Sequence, residues 1–422
     1  MILYQGTVYD DSKQKELIQS LKEDCYQTLS LMKKIEAKDV IEACDQIAKK
    51  VRNGDYNETI LPSLATLDIP FEQFEHYISM FEKDALEKKV KTELGEDYQN
   101  LSDIEDSKRK IMPLGILFHI AAGNVDALPA YSVVEGLLAG NINILKLPSG
   151  DNGLSVQLLK ELIDIEPKLK DFIYVFDVPS TEIETLKIFA GMSDGIVVWG
   201  GDAAVSAARQ MAPIDAKVIA WGHKLSFAYA TPDAKDEDLA GLAHHICETN
   251  QLLCSSCQGI FVDTDDRKAL DLFAKRFFDI FLKVSKEHKQ VSIGMRGKNT
   301  ITLYFENLES HQSHKTIFHQ DGVSVIACDD QKLELSMLFR NVWVKRLNRN
   351  EIVKVVKPHK NHLQTAGLLC GQNDVFDLTG KLLQAGLIRI TKPKDMARFY
   401  VGETHDGTYA LREYTKIVEF ID

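Results

Sequence analysis

Residues 114–147, LGILFHIAAGNVDALPAYSVVEGLLAGNINILKL, contain the pattern that decides the fold. Two short apolar runs, LGILFHI and NINILKL, flank the stretch AYSVVEGLLAG, whose apolar residues follow helical spacing. Short apolar runs predict buried strands, and a helix between two strands predicts a parallel pair joined by a crossover connection. The stretch therefore indicates a βαβ unit.

The same alternation continues as far as residue 222. Further strands are predicted at FIYVFDV, GIVVWGG and KVIAWG, with helices between them at LSVQLLKELIDI, TEIETLKIFAGM and AAVSAARQMA. Five strands joined by four crossover helices predict a doubly wound, mostly parallel sheet. Because such sheets bind ligands at the carboxyl ends of their strands, the loops that follow the strands are candidate sites.

A second α/β region follows the first one. It has predicted helices at DEDLAGLAHHICETNQ, RKALDLFAKRFFDIFLKVSKEH, EIVKVVKPH and LTGKLLQAG, and predicted strands at GIFVD, ITLYFEN, VSVIACD, VWVKRL, TAGLLCG and IRITK. The polar N-terminal stretches KELIQSLKEDCYQTLSLMKK and FEQFEHYISMFEKDALEKKVKTEL carry apolar residues at helical spacing. We therefore predict a helical N-terminal segment (1–110), two α/β domains (111–224 and 225–394), and a C-terminal segment (395–422) that packs on the first domain or at a subunit interface.

Composition and charge exclude several classes of protein. The 422 residues are 45% hydrophobic and 27% charged, which is typical of a globular protein, and their formal net charge is −12. A negative protein is a poor match for the phosphate backbone of nucleic acids. The N-terminal sequence does not predict a signal peptide, and no apolar run approaches the ~18 residues of a membrane helix. We expect a cytoplasmic protein without a membrane span or a nucleic-acid partner.

Seven cysteines are an odd number, and without an export signal they predict reduced thiols rather than a disulfide framework. Cys25, Cys44, Cys328 and Cys370 are far apart in the sequence, and we interpret them as small buried apolar residues. The remaining cysteines lie close together, between residues 247 and 257.

The stretch NQLLCSSCQG (250–259) admits several interpretations. A zinc site with His244, His245 and Cys247 is disfavoured, because structural sites usually pair one close couple of ligands with a distant second couple. A thioredoxin-type dithiol is disfavoured because this pair follows a helix and precedes a strand. Two small core residues remain an alternative. We favour Cys254 as a nucleophile, because small neighbours let a carbonyl approach and thiolates attack thioesters readily, and we predict no metal ligands.

The first α/β domain lacks the G-x-G-x-x-G sequence of a standard dinucleotide site. A strand that ends in Lys146 is followed by LPSGDNG (147–153), where backbone N–H groups at a helix N-terminus suit an anionic group. An ordinary turn with Ser or Asp as N-cap explains the same residues. The turn at residues 200–202 lets a ligand come close, and Asn124 either donates to an oxyanion or caps a helix.

Four motifs occur in a characteristic order: HIAAGNVDALPAYSVVEGLLAGNINILKLPSG, VVWGGDAAV, VIAWGHKLSFA and NQLLCSSCQG. Together they resemble the LuxC family of fatty acyl-thioester reductases, a branch of the aldehyde dehydrogenase superfamily. The resemblance covers roughly residues 111–265, with weaker matches at HLQTAG (362–367) and THDG (404–407). It implies an aldehyde-dehydrogenase-like α/β fold with two doubly wound domains, of which the first binds the nucleotide and the second carries the catalytic cysteine.

The resemblance also implies roles for particular residues. Cys254 matches the nucleophile that forms the acyl-enzyme, and Asn124 matches the side chain that completes the oxyanion hole with the Cys254 N–H. Ser149 stands where NAD-preferring relatives often carry a glutamate, which favours NADPH, with NADH as the alternative. The implied cofactor-binding residues are Lys146, Ser149, Gly200, Gly201, Asp202 and Gly222.

Two departures from the superfamily pattern bear on the chemistry. Hydrolytic aldehyde dehydrogenases carry a glutamate where this chain has Ala220, 34 residues before Cys254 (254 − 220). Without that base the acyl-enzyme is not readily hydrolysed, and His223 nearby either transfers a proton or only fixes the turn. Cys257 stands where the family leads us to expect a proline.

The implied activity is reduction of a long-chain acyl thioester, carried by coenzyme A or a carrier, to the aldehyde. One alternative is a coenzyme-A-acylating dehydrogenase of short-chain aldehydes, and another is a non-catalytic thiol-sensing binding protein on this fold. The resemblance further suggests an acyl-protein synthetase as a partner and a homo-oligomer.

Overall fold

The computed structural model describes residues 1–56, 58, 78–96, 98, 100–104, 107–122, 127–149 and 151–421. The chain divides into two units, Met1–Gly222 together with Tyr400–Asp422, and His223–Phe399. The sequence places boundaries after residues 110, 224 and 394, whereas the first unit includes both the N-terminal segment and the end of the chain. Among the described residues, none of the helices combines the length and apolar character that a bilayer crossing requires.

The secondary structure alternates along most of the chain. The strands are β1 (Ile2–Tyr4), β2 (Thr7–Tyr9), β3 (Ser102–Ile104), β4 (Ser107–Pro113), β5 (Ile116–Ile120), β6 (Ile142–Lys146), β7 (Ile173–Phe176), β8 (Gly195–Gly200), β9 (Lys217–Gly222), β10 (Leu225–Ala230), β11 (Cys257–Val262), β12 (Thr316–Gln320), β13 (Val323–Cys328), β14 (Asn341–Arg346), β15 (Leu363–Leu369), β16 (Arg389–Thr391) and β17 (Thr415–Ile421). The α-helices are α1 (Gln14–Ser30), α2 (Ala37–Asn53), α3 (Lys83–Leu94), α4 (Leu128–Leu138), α5 (Leu154–Ile165), α6 (Ile183–Gly191), α7 (Asp202–Met211), α8 (Asp236–Thr249), α9 (Arg267–Ser285), α10 (Ile293–Ser313), α11 (Ile352–Val356), α12 (Val375–Ala385) and α13 (Ala410–Glu413). Short 3-10 helices occur at Asp11–Lys13, Pro167–Asp171, Lys357–His362 and Pro393–Asp395.

The first unit is built on a seven-stranded sheet with the order β2-β1-β7-β6-β5-β8-β9. The strands from β7 to β9 are parallel, which confirms the predicted doubly wound sheet. β6 and β7 are buried along their whole lengths, as expected when helices cover both faces of a parallel sheet. The strand order reverses between β5 and β8, so the loops after these strands flank the switch point where such sheets bind ligands.

The N-terminal segment predicted to be helical contains strands at both of its ends as well as helices. Residues 2–4 form β1, which is buried and adds to the open edge of β7, because Ile, Leu and Tyr pack well on a sheet. Residues 102–104 and 107–113 form β3 and β4, and β17 pairs antiparallel with β4 from Thr415 to Ile421. Of the predicted helix at 71–94, residues 71–77 lie outside the described residues.

The side chain of Asn141 ties several parts of the first unit together from a fully buried position. Its Oδ1 accepts the Gly115 N–H at 2.9 Å, and its Nδ2 donates to the carbonyls of Gly136 at 3.3 Å and Tyr414 at 3.0 Å. The start of β5, the end of α4 and the C-terminal segment therefore share one polar anchor.

The second unit has its own seven-stranded sheet, with the order β12-β13-β14-β11-β10-β15-β16. Only the edge strand β12 is antiparallel to its neighbour, so the predicted second doubly wound domain is confirmed. α8 and α9 pack against each other, and apolar side chains from both helices join those of β11 and β13 in one core. β10, which the sequence analysis did not predict, is buried along its whole length.

One predicted strand of the second domain is wrong. ITLYFEN (301–307) lies inside α10 rather than in a strand. The β-branched and aromatic side chains suggest a strand, but Ile301, Tyr304, Phe305 and Leu308 recur at helical spacing and share one exposed face. Spacing therefore outweighs residue type in this stretch.

We predict that Asn141→Ala lowers the free energy of unfolding by about 3 kcal/mol, because it leaves buried backbone groups without partners. Urea unfolding followed by circular dichroism measures the change. The matched control is Asn53→Ala at the exposed end of α2, which should change stability little. Equal stabilities of the two variants would contradict the anchoring role of Asn141.

Candidate active site

Cys254 lies in a tight turn of the second unit, between α8 and β11. The Ser256 N–H donates to the Leu253 carbonyl at 2.9 Å, and the Leu253 N–H donates to the Ser256 hydroxyl at 3.0 Å. These two bonds place Cys254 and Ser255 at the centre of the turn, and Cys254 is exposed. The sequence therefore presents one thiol at the tip of a closed turn.

The buried amide of Gln251 supports the base of this turn. Its Nε2 lies 3.1 Å from the Cys257 carbonyl, 2.9 Å from the Ser336 hydroxyl and 3.0 Å from the Asn341 carbonyl. Its Oε1 accepts the N–H groups of Arg340 at 3.1 Å and Asn341 at 3.2 Å. The bonds connect the loop after α8 to β11 and β14.

The backbone just before the turn is in an unusual conformation. Asn250 and Gln251 have φ angles of 46° and 65°, in the left-handed region that non-glycine residues rarely adopt. Gln258 holds the same segment, because its Nε2 donates to the Gln251 carbonyl at 3.0 Å and its Oε1 accepts the Ser336 hydroxyl at 2.9 Å. The hydrogen bonds of the two buried glutamines offset the cost of this backbone.

Ser226 fixes the backbone of Cys254 directly, and the sequence analysis missed it. This fully buried residue of β10 donates its hydroxyl to the Cys254 carbonyl at 2.7 Å and accepts the Thr365 N–H at 3.1 Å. The sequence does contain a signal for this role. Ser226 is the one serine in the otherwise apolar stretch LSFAYA, and a buried hydroxyl needs hydrogen-bond partners. Thr365 belongs to HLQTAG, so this weaker match supports the turn.

The two cysteines of the C-x-x-C pair lie in different surroundings. Cys257 is the first residue of β11 and is fully buried, and its Sγ lies 3.2 Å from the Gly259 carbonyl. Burial raises the pKa of the Cys257 thiol to about 12, so it is not a nucleophile at neutral pH. Cys254 is the exposed thiol of the pair.

His245 also supports the turn, as a hydrogen-bond acceptor. Its Nε2 accepts the Cys257 N–H at 3.2 Å, and its side chain is buried. Burial lowers the pKa of His245 to about 4, so the imidazole is neutral at pH 7 and keeps the lone pair that this bond needs.

His223 and Lys224, the last two residues of the AWGHK motif, are the first two residues of the second unit. His223 is exposed, and its carbonyl accepts a hydrogen bond from Nδ1 of His362 at 3.2 Å. The Lys224 Nζ donates to the Asn361 carbonyl at 3.0 Å. Both residues therefore connect the start of β10 to the segment before β15, and the His223 imidazole itself is accessible to solvent.

Lys146 and Ser149 lie at the carboxyl end of β6, as predicted. Lys146 is 3% exposed and its Nζ donates to the Ser180 hydroxyl at 3.0 Å, whereas Ser149 is exposed. Burial lowers the pKa of the Lys146 ammonium, and the nearby Asp177 carboxylate counteracts this shift. An amine in this position can donate to a hydroxyl or a phosphate at the edge of the sheet.

Asp151 organises the loop LPSGDNG through two hydrogen bonds of its carboxylate. Its Oδ1 accepts the Gly153 N–H at 2.8 Å and its Oδ2 accepts the Ser155 hydroxyl at 2.7 Å. The carboxylate therefore holds the loop before α5, whose N-cap is Gly153 and receives no side-chain cap. Gly150 lies outside the described residues.

The glycines after β8 and β9 leave room for a ligand. Gly200 pairs with Gly222 across the two strands, and a Cβ at Gly201 or Gly222 would meet no atom within 4 Å. Gly200 has a φ of 154°, and a Cβ there would lie 3.1 Å from the Cβ of Ala204. Asp202 follows as the first residue of α7. These glycines and Lys146 lie at the carboxyl ends of strands of one sheet, with β5 between β6 and β8, which is where such sheets bind nucleotide cofactors.

The predicted site residues thus divide between the units. Lys146, Ser149 and the residues at 200–202 and 222 follow strands of the first sheet. Cys254 and His223 precede strands of the second sheet, since β10 begins at Leu225 and β11 at Cys257. Asn124 lies outside the described residues.

Comparison with known proteins identifies the family of the chain. Residues 32–417 match the model of a family described as acyl-CoA reductase (LuxC). A long-chain acyl-protein thioester reductase of Photorhabdus laumondii is 30% identical over 75% of this chain and 65% of that protein, and one of Vibrio harveyi is 25% identical over 80% and 71%. Long-chain acyl-protein thioester reductase 2 of Photobacterium leiognathi is 24% identical, and the chain spans 64% of its length.

Solved structures show the fold. Aldehyde dehydrogenase 21 from Physcomitrella patens superposes with a TM-score of 0.70 at 14% identity, covering 96% of this chain and 89% of that chain. A glyceraldehyde-3-phosphate dehydrogenase from Methanocaldococcus jannaschii, solved with NADP, has a TM-score of 0.66 at 12% identity and covers 96% and 94%. The predicted aldehyde-dehydrogenase-like fold is confirmed.

We predict that iodoacetamide at pH 8 alkylates Cys254 much faster than Cys257, because only the first thiol is exposed. Tandem mass spectrometry of the tryptic peptide 236–267, which also contains Cys247, locates the label. The same reaction in urea is the control and should label all three cysteines. Equal labelling of Cys254 and Cys257 in the folded protein would contradict the burial of Cys257.

We predict that stability falls between pH 6.5 and pH 4 in part through His245. Its folded-state pKa lies below the ordinary value, so the unfolded state binds more protons in this window and stability is lost as the pH falls. From pH 7.5 to pH 5 this one residue contributes a loss of about 2 kcal/mol. Urea unfolding at both pH values should show a smaller loss in His245→Gln than in the wild type or in His319→Gln, the control at an exposed histidine. A loss in His245→Gln as large as in the wild type would contradict this assignment.

Proposed function

The chain belongs to the LuxC family of acyl-CoA reductases, and we propose that it reduces an acyl thioester to the aldehyde through an acyl-enzyme on Cys254. The observation that carries this proposal is the exposed Cys254 at the tip of a turn held by buried side chains, next to the buried Cys257. The names of the relatives, long-chain acyl-protein thioester reductases, indicate a long acyl chain.

The first half of the reaction centres on the thiol of Cys254. The Cys254 thiolate attacks the acyl carbon, a new thioester forms, and the carrier leaves as a thiolate that takes up a proton. We infer from the family resemblance that Asn124 and the Cys254 N–H stabilise the oxyanion, where one donor typically contributes about 10²–10³ in rate. Ser226 acts by positioning, because it holds the Cys254 carbonyl rather than the reacting atoms.

The second half of the reaction needs a reductant. When bound, NADPH supplies the hydride that converts the acyl group to the aldehyde level, and the Cys254 sulfur then leaves as a thiolate. We propose that Lys146 and Ser149 contact the adenosine ribose, and that Gly201, Asp202 and Gly222 accommodate the rest of the cofactor. Ser149 presents no carboxylate to a 2′-phosphate, which favours NADPH over NADH.

Ala220 favours a reductase over a hydrolytic dehydrogenase. Its methyl group cannot activate water, so an acyl-enzyme persists long enough to be reduced or to exchange with a thiol. His223 is exposed and remains a candidate for proton transfer to the aldehyde oxygen.

Two other functions use the same residues. A coenzyme-A-acylating dehydrogenase of short-chain aldehydes runs the same chemistry in the opposite direction, and rates for acyl chains of different length distinguish it. A thiol sensor needs Cys254 and Cys257 to form a disulfide, which the buried Cys257 with its raised pKa disfavours. An acyl-protein synthetase partner and a homo-oligomer remain predictions from the family resemblance.

We predict that palmitoyl-CoA without a nicotinamide cofactor acylates Cys254, because the thiolate exchanges with the thioester while no reductant is present. Intact-protein mass spectrometry measures the adduct, and peptide fragmentation locates it. Addition of NADPH should remove the adduct and release hexadecanal.

The matched control is Cys257→Ala, which should still be acylated, whereas Cys254→Ala should not. The absence of an adduct with every acyl chain tested, together with a Cys254–Cys257 disulfide after mild oxidation, would reject the reductase and favour the thiol sensor.

A further inference from the structure

A cluster of two histidines and a glutamate lies on the surface of the second unit, where none of the proposed catalytic residues belongs. His244 and Glu248 are one helical turn apart on α8, so they share a face, and His288 follows the end of α9. One ligand atom from each of the three lies within 4.8 Å of the others. His244 and His288 are partly buried, and Glu248 is exposed.

The two imidazoles face each other at hydrogen-bond distance. Nδ1 of His244 lies 2.9 Å from Nε2 of His288, and their ring centroids are 5.1 Å apart. One nitrogen of such a pair carries the hydrogen and the other offers a lone pair.

The donor set and spacing suit a transition-metal ion. Two imidazole nitrogens and one carboxylate oxygen are ligands that Zn²⁺ prefers, at Zn–N distances of about 2.0–2.1 Å. In tetrahedral geometry the two nitrogens would stand about 3.3 Å apart, so the imidazoles need to separate by only about 0.4 Å. Glu287, whose carboxylate lies 3.9 Å from Nε2 of His244, adds negative charge to the site.

We propose that His244, Glu248 and His288 bind a divalent transition-metal ion of the zinc type, with water completing its coordination. The ring that carries the shared hydrogen changes to its other tautomer, so both facing nitrogens offer lone pairs, and the ion connects the end of α8 to the segment after α9. The neighbouring His245 accepts the Cys257 N–H, and α8 runs directly into Asn250 and Gln251. Bound metal therefore stabilises the base of the Cys254 turn. This inference does not rest on the proposed function.

Equilibrium dialysis against buffered Zn²⁺, with the metal measured by mass spectrometry, tests the site. The experiment uses the full chain carrying Cys254→Ala, since an exposed thiol binds zinc by itself. We expect one equivalent of zinc, with affinity at least tenfold lower after a further His244→Ala or His288→Ala substitution. His319→Ala, at an exposed histidine on β12, is the matched control and should retain the site.

Glu248→Gln provides a second variant, because an exposed side chain can change without disturbing the fold. We expect it to weaken binding and to remove the rise in melting temperature that zinc gives the parent protein. Unchanged zinc affinity in the folded histidine and glutamine variants would place the ion elsewhere and overturn the proposal, as would a parent protein that binds no zinc at micromolar free concentration.

Discussion

The amide of Gln251 contacts four backbone groups and one hydroxyl from inside the second unit, and the Cys254 turn depends on it. Two consecutive left-handed residues would not persist in a mobile loop, because each costs of order 1–3 kcal/mol. Buried hydrogen bonds from β11 and β14 fix this backbone, and Ser226 then fixes the Cys254 carbonyl. The result is a thiol side chain that is exposed while its main chain is anchored in a core.

The candidate functional residues lie at the carboxyl ends of the strands in the first unit and at the amino ends of the strands in the second. In the first unit they follow the strands, where the topology opens a crevice at the point of reversal. In the second unit Cys254 precedes β11 and lies in a helix-to-strand loop. Its position therefore does not follow from the rule that ligands bind after the strands of such a sheet. The same architecture thus places the proposed cofactor-binding residues after strands in one unit and the proposed nucleophile before a strand in the other.

Local pattern was sufficient for much of the fold and for part of the site. The strands and helices from β5 to β9 follow from apolar spacing, and the four motifs in order identify the family and the exposed cysteine. The supporting roles of Ser226 and Gln251 could not be predicted from the sequence. Their hydrogen-bond partners are distant in the sequence, and only the folded sheet brings them together. The prediction of a strand at 301–307 was wrong because the residue types favour a strand, whereas their spacing favours the helix that the structure shows.

The first unit is assembled from both ends of the chain, since β17 pairs with β4 and the Tyr414 carbonyl accepts a hydrogen bond from Asn141. During synthesis this polar anchor cannot form until Tyr414 has left the ribosome. The second unit, whose residues are continuous in the chain, can complete its sheet earlier. Translation therefore delivers the cysteine-bearing unit first, while the unit that was begun earlier still awaits its last strand.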